Sequence, residues 1–484
     1  MQRGKHFSHT RTINLVVVLA TVFSIYLLWI SNINVIAKWV AALIALSVSS
    51  EAIMYLNQFK GYFIFYMLAT RKMFLKFIDN ISKKHKKFWL FFAEWGLAVG
   101  FGALAYYMFK KRIGKKTIAT SLLTIFVLIY VMLPYSALAL NLINIPNMNT
   151  QLAAQASSST PATEMLTTVI YMAASIIGGL ATLIYILIVY GAAHVLYTLA
   201  MFAHSVQVGA PKTKILSTQI AYVYPVIPGI DMPLIAGIIA LVIVLVVHEF
   251  SHGILARIAK IRLKSIGLLM FGLIPVGAFV EPDEKEVMKK NSMVQDRILA
   301  AGISANILVT IILFVVLIPL LFVLPSFMST RVVVTGTVAG APAHVVPLNA
   351  QIITWNNYKV DNISDAEKAA ATDKPGGVVT LGTSAGNFTL IANSTGKIGI
   401  YVEQISTPVQ GSFSSGAINF AYEVVVLAFI LNLLVAMVNL LPIPGFDGWR
   451  IYELEIKNKK LVTAATALIL ISLMISVLPI FWQY

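Results

Sequence analysis

Long, nearly uncharged apolar stretches recur along this 484-residue chain, and they constrain its fold more than any other feature. A helix needs about 20 apolar residues to cross the hydrocarbon core of a bilayer. Hydrophobic residues make up 58% of the sequence and charged residues 12%, whereas soluble domains carry about 45–50% and 25%. The sequence therefore predicts a polytopic α-helical membrane protein with about nine transmembrane segments. They lie near residues 12–30, 35–57, 88–109, 117–143, 165–203, 231–258, 299–324, 417–442 and 462–481.

The net charge of +16 includes short basic clusters beside apolar segments, at residues 83–87, 110–116 and 257–264. Lysine and arginine in such places set topology and contact anionic lipid headgroups. We therefore expect the lipid bilayer, and no nucleic acid, as the partner of this charge. The chain contains no cysteine, so neither a disulfide framework nor a thiolate metal site is possible.

Basic residues also predict the orientation of the C-terminal half, because they concentrate on the cytosolic side of a membrane. The clusters at 257–264 and 450–460 both follow apolar segments and are expected to be cytosolic, which leaves the polar stretch 329–412 on the extracytosolic side. That stretch has alternating apolar runs, glycine-rich turns and one polar segment of helical character. It therefore predicts a small α+β domain.

The N-terminal half allows two topologies. Residues 60–87 and 110–116 are both basic, yet only one apolar segment separates them. Either the positive-inside rule is broken at 110–116, or residues 88–109 form a hairpin loosened by Gly96, Gly100 and Gly102. The sequence leaves both open.

One apolar run is interrupted by three ionisable residues, His248, Glu249 and His252. Positions i and i+4 share a helix face, so both imidazoles can bind one cation with the glutamate beside them. Ionisable side chains at membrane depth cost about 2.5 kcal/mol or more each, and a divalent metal compensates for that cost. The spacing suits tetrahedral Zn²⁺. The alternative is a satisfied polar cluster inside a helix bundle.

A zinc ion needs a third protein ligand, and Asp447 is the strongest candidate. It lies in the segment Asn439–Gly448, which contains two prolines and two glycines at the end of an apolar stretch. Broken backbone at membrane depth is tolerated where it lines an enclosed or wet cavity. The alternative is an ordinary proline-terminated helix followed by an aspartate in a turn.

The H-E-x-x-H motif, paired with a later N-x-x-P-x-P-x-x-D-G motif, resembles the site-2 protease family of intramembrane zinc metalloproteases. The resemblance covers residues 205–460. It implies that His248, His252 and Asp447 bind Zn²⁺ and that Glu249 is the catalytic acid/base. It also implies that Asn439 holds the substrate backbone or its oxyanion.

Three other segments carry the resemblance further. Gly267–Glu281 is similar to the family's membrane-associated β segment, Ala301–Asn306 resembles its A-G-P-x-x-N stretch, and residues 331–405 look like its PDZ-like insert. Ile303 stands where the family often has proline, and residues 348–352 lack the Gly-Asp pair that is common in PDZ domains.

These likenesses imply a domain order. Residues 205–328 are expected to form a catalytic transmembrane core with the H-E-x-x-H helix, a re-entrant β segment and the following span. An extracytosolic PDZ-like domain would follow at 329–412, and 413–484 would complete the core with the second motif and a final span. Residues 1–204 match nothing in the family and form an N-terminal transmembrane region of unknown role.

The implied activity is hydrolysis of a peptide bond within or near the transmembrane segment of a membrane-protein substrate, as in regulated intramembrane proteolysis. The enzyme would be a multi-pass protein of the cell membrane with its active site toward the cytosol. One alternative is a membrane peptidase of the CAAX prenyl protease type, which uses a downstream glutamate as third ligand. Another is a zinc transporter or sensor, which needs further metal ligands along a path through the bilayer. Substrate identity and oligomeric state stay open.

Overall fold

The computed structural model describes residues 2–33, 35–62, 64–69, 73–132, 135, 161–207, 228–229, 232–338 and 340–479. The predicted ends of the segments at 117–143 and 462–481 lie outside the described residues. The chain divides into two compact units. The first comprises the described parts of Met1–Ser136, Thr150–Val315 and Val424–Tyr484, and the second contains Val316–Glu423.

Helices dominate the described chain, and we label them in chain order. They are α1 (Gln2–Ile30), α2 (Val35–Asn57), α3 (Met73–Lys84), α4 (Lys86–Phe101), α5 (Ala105–Met108), α6 (Lys115–Phe126), α7 (Pro161–Gln207), α8 (Leu234–Ile258), α9 (Glu284–Met288), α10 (Ser292–Val323), α11 (Ile363–Ala370), α12 (Phe413–Val438), α13 (Asp447–Glu455) and α14 (Lys459–Val477).

Eight helical stretches of the described chain are long and apolar enough to cross a membrane, which makes this a polytopic helical membrane protein. The predicted segment at 12–30 lies in α1, where the apolar part, Thr12–Leu28, is shorter than the other eight. The number of crossings therefore remains a prediction. The eight stretches are Val40–Asn57, Lys86–Met108, Lys115–Met132, Thr168–His204, Leu234–Ile258, Ser292–Phe327, Phe413–Val438 and Lys459–Val477.

The chain turns back after α4. Gly102 ends the helix with φ 57°, and it crosses Gly179 of α7 so closely that a Cβ on either residue would lie 2.5 Å from the backbone nitrogen of the other. Only glycine fits both the left-handed conformation and this approach. Farther on, Arg112 donates to the Ser292 hydroxyl (2.9 Å) in the first turn of α10.

The start of α4 also lies beside that turn of α10, because Lys86 and Val294 line one small cleft. Glu94 of α4 forms an ion pair with Arg297, one turn farther along α10. Both ends of the segment 86–112 therefore meet the N-terminal part of the same helix. This geometry favours the hairpin of the two topologies that the sequence left open.

The first unit contains a four-stranded antiparallel sheet of order β1-β2-β3-β4. The predicted β segment forms the hairpin of β3 (Leu263–Phe271) and β4 (Ile274–Pro282). Two strands from the N-terminal region, β1 (Gly61–Tyr62) and β2 (Phe65–Ala69), extend it. β2 pairs with β3 in a register that runs from Phe65↔Phe271 to Ala69↔Gly267. No pattern in the sequence predicted that β1 and β2 would extend this sheet.

The second unit contains the predicted α+β domain. Its sheet has the order β10-β5-β6-β8-β9, with β7 paired to β6, and α11 covers part of its core. Apolar residues from the strands and α11, among them Val332, Ile352 and Ala366, are buried together in that core. The strands are β5 (Met328–Thr337), β6 (Gln351–Trp355), β7 (Tyr358–Lys359), β8 (Val378–Thr383), β9 (Gly386–Ile391) and β10 (Ile400–Pro408).

Candidate metal centre

The two histidines of the H-E-x-x-H motif lie on one face of α8, as the spacing predicts. Their Nε2 atoms are 3.0 Å apart. Nε2 of His248 lies 3.2 Å from Oδ2 of Asp447, and Nε2 of His252 lies 3.3 Å from the same oxygen. The structure thus brings the two histidines together with an aspartate that lies almost 200 residues later in the sequence.

These three side chains fit a metal ion. Around a tetrahedral zinc with bonds of about 2.0–2.1 Å, ligand atoms lie about 3.3 Å apart, close to the spacing found here. Oδ2 of Asp447 is buried and, among the described residues, has no hydrogen-bond partner apart from the two imidazoles. Burial opposes ionisation of this carboxyl, but the imidazoles of His252 and His248 hold its pKa below the ordinary value. Two nitrogens and one carboxylate oxygen converge on one point, which is a donor set that zinc accepts.

Backbone geometry explains how Asp447 reaches the imidazoles. Helix α12 ends at Val438, α13 begins at Asp447, and the residues between them are not helical, as predicted from the prolines and glycines. The amide of Gly448 donates to the Asn439 carbonyl (2.7 Å), which ties the start of α13 to the end of α12. A Cβ at Gly448 would lie 2.6–2.7 Å from the Leu440 backbone and the Asn439 carbonyl oxygen, so this approach needs a glycine.

One face of α10 contacts the Nδ1 side of both imidazoles. The Ile298 carbonyl accepts a hydrogen bond from Nδ1 of His252 (2.7 Å), so Nε2 is the ring nitrogen that faces Asp447. The amide of Asn306 lies 3.2 Å from Nδ1 of His248. Between them, a Cβ at Gly302 would lie 2.4–2.6 Å from three atoms of the His248 ring. Residues 298, 302 and 306 follow each other at intervals of one helical turn, so all three contact the imidazoles from the same helix face.

Gly302 and Asn306 lie in the stretch that was predicted only from its resemblance to the family. Their i, i+4 spacing was the signal that could have identified this helix face. Ile298 could not be predicted, because its functional group is a backbone carbonyl, which leaves no residue-type signal.

Glu249 lies beside the histidines and faces the sheet. Its Oε2 accepts a hydrogen bond from the backbone amide of Val280 in β4 (3.0 Å). Asn439 also lines the cavity, but its side-chain nitrogen donates to the Val435 carbonyl (2.9 Å). The structure therefore brings all five predicted site residues to one cavity, with the amide nitrogen of Asn439 engaged by its own helix.

The cavity has a volume of about 1110 Å³ and is lined by charged and polar groups besides the candidate ligands. A cavity of this size and polarity admits water as well as an extended peptide segment. The lining comes from α8, the β3–β4 hairpin, α9, α10, the start of α13 and the N-terminal segment Gln58–Met67. Its charged members outside the candidate ligands are Lys60, Glu249, Lys264, Glu281, Glu284 and Arg450.

The fold and the site together define a class: a polytopic membrane protein with a largely buried His-His-Asp cluster and an adjacent glutamate, as in metalloproteases. The profile of peptidase family M50 matches residues 236–480, about half of the chain. The chain belongs to this family, the site-2 protease family, whose members are metalloproteases.

A relative is an uncharacterized protein, MJ0971, of Methanocaldococcus jannaschii. It is 30% identical to this chain over 240 residues. The aligned region covers 48% of this chain and 61% of the relative.

Proposed function

We propose that this protein is an intramembrane zinc metalloprotease that hydrolyses a peptide bond within or near the transmembrane segment of a membrane-protein substrate. The observation that carries the proposal is the convergence of His248, His252 and Asp447 next to Glu249 in a water-accessible cavity of a helical membrane protein. Membership of family M50 supports it.

Zn²⁺, held by the two Nε2 atoms and Oδ2 of Asp447, would polarise the substrate carbonyl and acidify an attacking water. Glu249 is positioned to take the proton from that water, and it then passes the proton to the leaving amine. The Val280 amide orients the Glu249 carboxylate through the hydrogen bond described above. Ile298 fixes His252 with its Nε2 lone pair toward the ion. Asn439 would hold the substrate backbone through its amide oxygen.

The sheet suggests how substrate is presented. A helical substrate must be unwound, because its carbonyls are otherwise hydrogen-bonded within the helix. β2 covers one edge of β3, so β4 is an outer strand of the sheet and also the strand that contacts Glu249. An unwound substrate would add to β4 by strand pairing and so bring its backbone to the metal centre.

Orientation and selection complete the proposal. The centre faces the cytosolic side of the cell membrane, because the basic residues 257–264 follow the histidine helix directly. Residues 329–412 form an extracytosolic PDZ-like domain that admits only substrates already trimmed outside the membrane. Deletion of 329–412 should then abolish the preference for trimmed over full-length substrate, and an unchanged preference refutes the filter.

The activity test uses the purified protein in lipid nanodiscs with a single-span helical peptide. Cleavage should stop with a zinc chelator and return when Zn²⁺ is added back. A prenylated CAAX peptide is the comparison substrate. Cleavage of that peptide alone would assign the prenyl protease class instead, and zinc-dependent binding without cleavage of either peptide would favour a sensor or transporter.

A further inference from the structure

One wall of the cavity comes from the N-terminal region, outside the part of the chain that matches family M50. Gln58, Phe59, Lys60 and Met67 line the same cavity as His248 and Asp447. The family match begins only at residue 236. This wall therefore lies outside the part of the chain that the family match covers.

The wall is held firmly against the catalytic sheet. The Tyr66 hydroxyl donates to the Gly272 carbonyl (2.9 Å), and the Phe59 and Tyr66 rings stack with centroids 5.7 Å apart. The Met67 amide donates to the Lys60 carbonyl (2.7 Å). Together with the pairing of β2 to β3, these contacts hold the backbone of Lys60 at the cavity.

Charge distinguishes Lys60 from the other cations of the cavity. Arg450 lies 3.6 Å from Glu284, and Lys264 lies 3.9 Å from Asp283. In the part of the chain that the structure describes, no carboxylate lies within 4.0 Å of the Lys60 ammonium. Lys60 is also exposed, while Phe59 and Met67 beside it are half-buried and apolar. The wall thus combines an uncompensated positive charge with an apolar surface.

We propose that the wall formed by Gln58, Phe59, Lys60 and Met67 determines the specificity of the protease and that Lys60 selects substrates with an acidic side chain next to the apolar segment that is cleaved. The inference rests on the proposed proteolytic function and deepens it by naming a substrate feature. A lysine at the cavity attracts a carboxylate and repels a basic side chain, while Phe59 and Met67 contact the apolar part of the segment.

The test uses single-span helical peptides of one sequence, in which one position at a time around the cleavage site is Glu, Gln or Lys. The wild-type enzyme in nanodiscs should cleave the Glu peptide about threefold to fivefold faster than the Lys peptide at one or more positions, as an ion pair near solvent allows. Lys60→Glu should invert that ratio at the same positions. Lys60→Gln should bring it close to one.

Lys83→Glu is the matched control, because Lys83 is an exposed lysine of the same region that does not line the cavity. It should keep the wild-type ratio. Each ratio is taken within one variant, so a general loss of activity cancels. Cleavage with the same charge preference in wild type and Lys60→Glu refutes the inference alone. Failure of the wild type to cleave any peptide in the presence of Zn²⁺ refutes the proposed function instead.

Discussion

The amide of Asn306 lies 3.2 Å from Nδ1 of His248, while Nε2 of the same ring faces Asp447. A histidine that binds metal through Nε2 carries its proton on Nδ1, which then needs an acceptor. Oδ1 of Asn306 is buried and has no hydrogen-bond partner among the described residues. A half-turn of the amide therefore lets Asn306 accept from His248 in the metal-bound state.

Asn306→Leu should weaken zinc binding about 10- to 100-fold, because it removes the acceptor and keeps a similar volume. Asn306→Asp should bind zinc at least as well as the wild type. Competition with a chelator of known affinity measures both. Equal affinities for the leucine variant and the wild type would show that Asn306 does not orient the imidazole.

Glu249→Gln should retain zinc but abolish peptide cleavage, because the amide cannot take a proton from water. The substitution also keeps an oxygen that can accept from the Val280 amide. Zinc content and cleavage of the helical peptide are measured on the same preparation. Cleavage above background would remove Glu249 from the assigned role.

Asp447→Ala should lower zinc occupancy and activity together, since the two imidazoles would lose their common carboxylate partner. His248→Ala and His252→Ala should behave alike. Metal analysis after dialysis against a weak chelator gives the occupancy. Full occupancy in any of the three variants would exclude that residue as a ligand.

Arg112 and Glu455 form a pair that fixes the far end of α13, the helix that begins with Asp447. Nη2 of Arg112 lies 2.9 Å from Oε1 of Glu455, and Nζ of Lys110 lies 3.4 Å from Oε2. The Glu455 side chain has no solvent exposure. Replacing Arg112 by a carboxylate leaves Lys110 as the cation beside this buried side chain and adds a like charge next to it, which is destabilising.

Arg112→Glu should therefore lower both the melting temperature and the affinity for zinc. The double variant Arg112→Glu/Glu455→Arg should recover part of both losses, because the opposite charges face each other again. Thermal unfolding and chelator competition provide the two readouts. Additive losses in the double variant would contradict a direct coupling.

The local parts of the site were predictable from sequence, and the long-range parts were not. His248 and His252 are one turn apart, so helix periodicity alone brings their imidazoles together. Asp447 could be predicted as a ligand because prolines and glycines mark a break in a helix, and a break at membrane depth implies a cavity. The transmembrane segments could be predicted from the length of the apolar stretches.

The pairing of β2 with β3 had no comparable signal. A five-residue apolar strand gives no periodicity that identifies its partner, and that partner lies about 200 residues farther along the chain. The ion pairs that join Glu94 to Arg297 and Arg112 to Glu455 are equally non-local. Packing of the complete chain, and not any local pattern, decides these contacts.

The join between β2 and β3 also sets an order of assembly during synthesis. Ribosomes add about 5–20 residues per second, so β3 is synthesised on the order of 10–40 s after β2, which precedes it by about 200 residues. Asp447 is translated later still. A nascent chain therefore has neither a finished cavity wall nor the third member of the His-His-Asp cluster until most of its length has been synthesised.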